Sequence, residues 1–238
     1  ATHGYISGGN DNTTKTDRTE KYEFASSSDG SDVSNLTVAR SNCVGTNNAS
    51  HGYIGGGYSP STTHIVDKFA FASDSDSTKV GDMTTNHYYG AGNSSLTYGY
   101  EAGGATTSEA DTNIIEKWSF TSDGNSADVG DITANRAAMR GSSSSDHGYF
   151  HGGYQSGTRN EIERYAFASD GNSVDVGDLA GTTHGPAGAS QIANGYSMGR
   201  DNGGALDDMY KYAYASSSDG AFIGNVTIAR HHGCGNHY

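Results

Sequence analysis

No run of about 18 apolar residues occurs in this 238-residue chain, so no segment reads as a membrane-spanning helix. Basic side chains are scarce. Fourteen Lys and Arg stand against 27 Asp and Glu, a net charge of −13. Nucleic acid and anionic membranes both need a basic surface, so this balance argues against either as a partner. Apolar residues are only 33 % of the chain, a fraction that taken alone points toward disorder. No leader pattern or initiating Met opens the sequence, as expected of a processed product or an excised domain. Cysteine is reduced to Cys43 and Cys234. They fall one column apart in the repeat described below. On neighbouring strands that offset turns side chains opposite ways and argues against a disulfide. A thiolate metal site from two cysteines is expected still less.

What is present is order. The 24 aromatic residues and 35 glycines recur in register, which disordered low-complexity sequence does not do. "HGYISGG", "HGYIGGG", "YGYEAGG" and "HGYFHGG" begin at residues 3, 51, 98 and 147, and a decayed copy, "NGYSMGR", begins at 194. Their tyrosines are 48, 47, 49 and 47 residues apart, and a period of that size signals an array of like units. Each unit continues with a polar stretch and an alternating segment: "EKYEF", "DKFAF", "EKWSF", "ERYAF" or "YKYAY". Aromatics two apart share one face of a strand, and the charged pair caps its start. A Ser/Asp/Gly hairpin follows, then a short strand centred on Val33, Val80, Val129, Val176 and Ile223. Last comes a small-residue strand with Gly45, Gly92, Gly141, Gly188 and Gly235 in one column.

Four short strands per unit and no helix signal predict an all-β fold, a five-bladed β-propeller of four antiparallel strands per blade. The small-residue strand belongs innermost, where blades crowd the axis. The diglycine marks a close backbone approach or positive φ, and the tyrosine before it is expected to fill the space between blades. Tyr238 falls in the column of Asn48 and Ala1 in that of Ala49, so the repeat written as a circle misses no residue. Residues 231–238 are therefore expected to close the ring as the innermost strand of the blade formed by 3–36. The blades then span 231–238 plus 1–36, 37–83, 84–132, 133–179 and 180–226, a single domain.

The diglycines Gly8-Gly9, Gly56-Gly57, Gly103-Gly104 and Gly152-Gly153 resemble those of Kelch repeats, the blades of Kelch proteins and of the galactose oxidase propeller. Phe24, Phe71, Phe120, Phe167 and Tyr214 match that family's third-strand aromatic. Two departures stand out: the family's later Trp is Val or Ile here, and Arg200 replaces the second glycine of unit five. Phrases such as "IEKWSFTSDGNSADVGDITANR" are also similar to repeats in structural and tail-fibre-like proteins of marine bacteriophages, cyanophages especially. That likeness implies a virion or extracellular location and membership of a larger assembly.

Propeller geometry sorts the loops onto two faces. The third-to-fourth hairpins hold 12 of the 27 acids with only Lys79 opposing them. Asp74, Asp76, Asp123 and Asp170 there are weak Ca²⁺ candidates, since Asp-Gly and Asp-Ser are also ordinary turn formers. The blade-to-blade connections on the other face carry Arg40, His87, Arg136, Thr183 and Arg230 in one column, with Tyr88, Tyr89, Arg140, His184, His231 and His232 beside it. Rings and guanidinium groups suit sugar faces and carboxylate or sulfate groups. The plainer alternative pairs each Arg with a neighbouring blade's carboxylate or carbonyl.

No copper site with a Cys–Tyr cross-link stands out, the inner strands hold almost no acid for a glycosidase, and Gly-x-Ser-x-Gly, P-loop and His-Glu-x-x-His motifs are absent. The expectation is a cofactor-free, non-enzymatic adhesin that recognises cell-surface glycans through the connection face. A protein–protein scaffold or virion decoration is the first alternative. A galactose-oxidase-like or glycosidase-like enzyme is the second.

Overall fold

The computed structural model describes residues 2–10, 13–26, 28–60, 63–108 and 110–230. It is an all-β, five-bladed propeller, with no helix among the described residues. The second blade runs Val44–Asn47, His51–Gly55, Ile65–Ala70, Thr78–Asp82, from innermost strand outward. The third runs Ala91–Ser94, Tyr98–Ala102, Ile114–Ser119, Ala127–Asp131. The fourth runs Arg140–Ser143, His147–His151, Arg159–Ala166, Val174–Thr183, and the fifth Ala187–Gln191, Asn194–Asp201, Ala205–Ala213, Ala221–Asn225. The first blade shows three strands, His3–Ser7, Arg18–Glu23 and Ser31–Asn35. The strand expected at 231–238 lies outside the described residues.

The Gly-Tyr dipeptide serves two neighbours. Each glycine faces a third-strand aromatic across the ladder, as Gly52 faces Phe69 and Gly148 faces Tyr165. A Cβ on Gly52 would lie 2.3 Å from the Phe69 ring, so only glycine leaves room for it. The tyrosine turns to the next blade and stacks on its last third-strand aromatic. Ring centroids are 4.8 Å apart for Tyr5–Phe71, 4.6 Å for Tyr53–Phe120, 5.0 Å for Tyr100–Phe167 and 4.6 Å for Tyr149–Tyr214. Such pairs contribute about 0.5–1.5 kcal/mol beyond area burial. The core is accordingly a series of slabs, one in each seam from the first blade to the fifth.

The inner strands touch backbone to backbone. A Cβ on Gly141 would sit 2.0 Å from the Gly92 carbonyl oxygen, and one on Gly188 would sit 2.5 Å from that of Gly141. On the outer side, the Ser77 N–H donates to the Asn35 carbonyl at 2.8 Å and the Ser126 N–H to that of Asp82 at 2.9 Å. The same contact recurs from Ser173 to Asp131 and from Gly220 to Asp178. At the mouth, Asn42, Tyr89, Ala138 and Gly185 all have φ between 55° and 63°. Tyr89 N–H bonds Asn42 O, Ala138 N–H bonds Tyr89 O, and Gly185 N–H bonds Ala138 O, so a belt of hydrogen bonds crosses the seams.

Candidate functional site

Three elements meet under each blade-to-blade connection. The diglycine of one blade reaches it from below: the second glycine's N–H donates to the carbonyl of Arg40, His87, Arg136 or Thr183 at 2.8–2.9 Å. The first glycine has φ of 58–68°, and a Cβ there would meet the same carbonyl oxygen at 2.5–2.7 Å. The third element is the following blade's third strand. Its pairing with the fourth strand slips beside Glu20, Asp67, Glu116, Glu163 and Tyr210 alike. A bulge re-aims side chains. In blades two to four this column's acid is fully buried beneath the connection.

Arg40 and Arg136 therefore do not line an open mouth. Arg40 is fully buried, 3.0 Å from Asp67, and donates to the carbonyls of Ile54 and Ile65 at 3.0 and 3.1 Å. Thr37 adds its N–H and hydroxyl to Asp67 at 2.9 and 2.7 Å. Arg136 repeats the design with Glu163, the Gly152 carbonyl at 3.1 Å and Thr133. The reading of these two as surface ligand groups is corrected: each is held by the next blade's carboxylate, the plainer alternative. A buried guanidinium without such a partner would be prohibitively costly.

His87 is the third member, and its surroundings differ. It is fully buried with Nε2 3.1 Å from Glu116 and Nδ1 3.4 Å from Glu101. Glu101 replaces the apolar Ile54 and Phe150 of the equivalent positions, and both its oxygens lack a hydrogen bond. Burial opposes the charged imidazole, yet the two carboxylates outweigh it and lift His87 to about 10. Burial likewise pushes Glu116 up, but hydrogen bonds from His87, Ser126 and Thr84 prevail and bring it to about 2. Glu101 is raised, by burial above all. The set thus holds an imidazolium against ionised Glu116. In the fifth blade the two columns carry no charge: they hold buried Thr183 and buried Tyr210, whose hydroxyl donates to Asp208 at 3.0 Å, and Arg200 binds Asp208 at 2.8 Å.

The remaining candidates scatter. Arg230 is exposed and donates to the Ile228 carbonyl at 3.2 Å. Arg140 is half-buried at the head of its inner strand and donates to the Met139 carbonyl at 2.7 Å. It also adds to the burial that holds neighbouring His151 neutral, at about 3. His184 packs edge-on to Tyr154 at 5.7 Å and lies 3.8 Å from Asp201. His231 and His232 lie outside the described residues. Tyr88 and Tyr89 do come together, 5.0 Å apart, and Tyr58 joins them 5.4 Å from Tyr88 with the Lys15 ammonium 4.3 Å over its ring. Tyr58 is 38 % exposed and Tyr154 47 %. The repeat reading missed Tyr58, although its place directly after a diglycine, like that of Tyr154, marked it.

The hairpin aspartates are structural partners. Asp74, Asp123 and Asp170 take the ammonium groups of Lys21, Lys68 and Lys117 from the preceding blade at 3.2, 3.0 and 2.5 Å. Asp76 accepts from the Asn35 backbone N–H at 2.9 Å, as Asn125, Asn172 and Asp219 do from Asp82, Asp131 and Asp178. Each aspartate contact engages one carboxylate oxygen, Oδ1, and ties a hairpin to the preceding blade.

Fold and surface together define a β-propeller compatible with binding or scaffolding. No family model matches the chain, and no curated protein matches its sequence.

Proposed function

We propose that the chain is a non-enzymatic binding module, an adhesin-like propeller acting on a virion or outside the cell, that recognises cell-surface glycans through its connection face. The carrying observation is the aromatic rim of Tyr58, Tyr88 and Tyr89 under Lys15. Flat, part-exposed rings with polar tips suit sugar faces. With Arg40 and Arg136 held inside and Arg159 and Arg200 paired to Glu161 and Asp208, recognition on this face falls to the rings of the rim and Lys15. The Kelch-like and phage-like resemblances rest on the residues quoted for them and agree with this reading.

A glycan array probed with the wild type and with Tyr58→Ala/Tyr88→Ala tests it. Saturable binding that falls tenfold or so in the double variant, at unchanged Tm, supports the rim as the site. Full affinity in the variant, or no glycan bound by the wild type, overturns it. One observation favours a scaffold instead: Leu96 and Ile192, at hairpin tips on the other face, are 92 % and 79 % exposed. Loss of a protein partner on Leu96→Ser/Ile192→Ser would support that second reading.

A further inference from the structure

On the hairpin face one ion pair recurs from seam to seam. Lys21, Lys68 and Lys117 of blades one to three donate to Asp74, Asp123 and Asp170 of the blade that follows. The lysines lie along the Gly-Tyr rings, Lys68 5.9 Å from that of Tyr53 and Lys117 4.8 Å from that of Tyr98. In the seam between the fourth and fifth blades both columns change together. Arg164 stands in place of the lysine and Ser217 in place of the aspartate.

The frame around that pair is unchanged. Tyr149 stacks on Tyr214 at 4.6 Å, as Tyr53 does on Phe120. The Ser216 and Ser218 hydroxyls of the fifth-blade hairpin are 3.0 Å apart, as those of Ser73 and Ser75 are at 3.1 Å on either side of Asp74. Asp219 accepts the Asp178 N–H at 3.1 Å, where Asp76 accepts that of Asn35 at 2.9 Å. Ser217 therefore occupies the place of Asp74 and brings no charge to it. Arg164 is half-buried, and among the described residues its guanidinium has no acid and no hydrogen bond.

A cavity of about 190 Å³ opens beside Arg164, bordered also by His147, Ser169 and Asn172. Pockets that enclose drug-sized ligands run to roughly 300–1,000 Å³, so this one suits a single group and not a whole molecule. Ser50 holds the His51 ring at 2.8 Å, whereas the ring of its counterpart His147 has no hydrogen bond among the described residues. Burial and then the Arg164 charge lower the His147 pKa against the pull of Asp146, which leaves a neutral ring able to donate. We infer that Arg164 and His147 form a binding site for the carboxylate of a small organic acid, in the place that an aspartate fills in the three preceding seams. A guanidinium offers two parallel N–H groups to the two carboxylate oxygens, which an ammonium cannot, and this accounts for arginine where the internal acid is missing. Asp146 and Asp170, next in sequence to His147 and Ser169, repel loosely held anions, so binding falls to that paired geometry.

The test is an NMR titration of the Arg164 Nε–H resonance, identified by its loss in Arg164→Gln, with sodium acetate and sodium galacturonate at constant ionic strength. Acetate carries the group alone and galacturonate carries it on a sugar ring, so tighter binding of one or the other separates a free acid from a sugar acid. A saturable shift is expected, with affinity about tenfold weaker or less in Ser217→Asp, which supplies the missing acid from within. Ser217 is an exposed hairpin residue, so that variant should keep the wild-type Tm. No saturable shift with either acid, an equal shift with sodium chloride, or undiminished binding in Ser217→Asp would overturn the inference. The titration should be unchanged in Tyr58→Ala/Tyr88→Ala, so its outcome is independent of the tyrosine rim.

Discussion

The connection into the fourth blade and the connection into the fifth solve one problem in opposite ways. In the former, buried Arg136 is neutralised by Glu163 and Thr133 completes the carboxylate's hydrogen bonds. In the latter, Thr183 and Tyr210 occupy the same columns, no charge is buried between them, and Arg200 meets Asp208 nearer the surface. The carbonyl above each is held by a backbone N–H of the preceding blade, Gly104 in one and Gly153 in the other. The shared element is therefore the backbone clasp. The ion pair is one of several ways to fill the space beneath it, provided both columns change together.

The largest expected effect breaks the charged version. Glu163→Ala takes away the fully buried partner of the Arg136 guanidinium, leaving only Glu161 at 3.3 Å, and should cost about 3 kcal/mol in denaturant unfolding. The double variant R136M/E163L should recover most of that loss, because volume-matched apolar pairs often replace buried ion pairs without penalty. Additive losses in the two single variants and the double would show that the pair is not the unit.

Next in size is the pH response of the His87 version. Its pKa is raised to about 10, so its contribution is whole below the unfolded value near 6.5 and is lost as pH rises through about 10. Glu101, also raised, works in the same direction from its own unfolded value upward. Glu116 is lowered to about 2, so its contribution is present above about 4.5 and disappears as pH falls toward 2. Wild-type Tm should thus fall on both flanks. His87→Gln should remove much of the alkaline fall, and an unchanged alkaline limb in that variant would contradict the assignment.

The smallest effect compares two seams. The Tyr149 hydroxyl donates to the Tyr214 carbonyl at 3.1 Å, whereas the equivalent Tyr100 hydroxyl is buried with no hydrogen-bond partner. Tyr149→Phe should cost about 1 kcal/mol and Tyr100→Phe nothing, or slightly stabilise. Equal losses would mean that the two seams are held alike.

The repeat made the blades legible before any coordinates. The first four Gly-Tyr dipeptides, the diglycines, the aromatic third strands and the small inner strands of blades two to five lie where their chemistry placed them. The candidate site was less legible. Alternation assigns each strand one wet face, so it makes Asp67, Glu116 and Glu163 strand caps and leaves Arg40 and Arg136 open between a ligand role and a pairing with a neighbouring blade. A blade within a propeller has neighbours on both faces, and the bulge at the acid column shifts the side-chain alternation there. A pairwise reading of the repeats did hold the signal: Arg40 with Asp67, His87 with Glu116, Arg136 with Glu163, and Thr183 with Tyr210 change in step.

The sequence by itself determined the number of blades, the order of strands within each and the residues that pack between them, since local period and glycine placement act over a few residues. Only the tertiary structure decided which polar groups meet across seams and which rings, Tyr58 beside Tyr88 and Tyr89, remain open to a ligand. Those relations join residues about 30 apart whose approach is set by blade stacking, and burial follows that stacking.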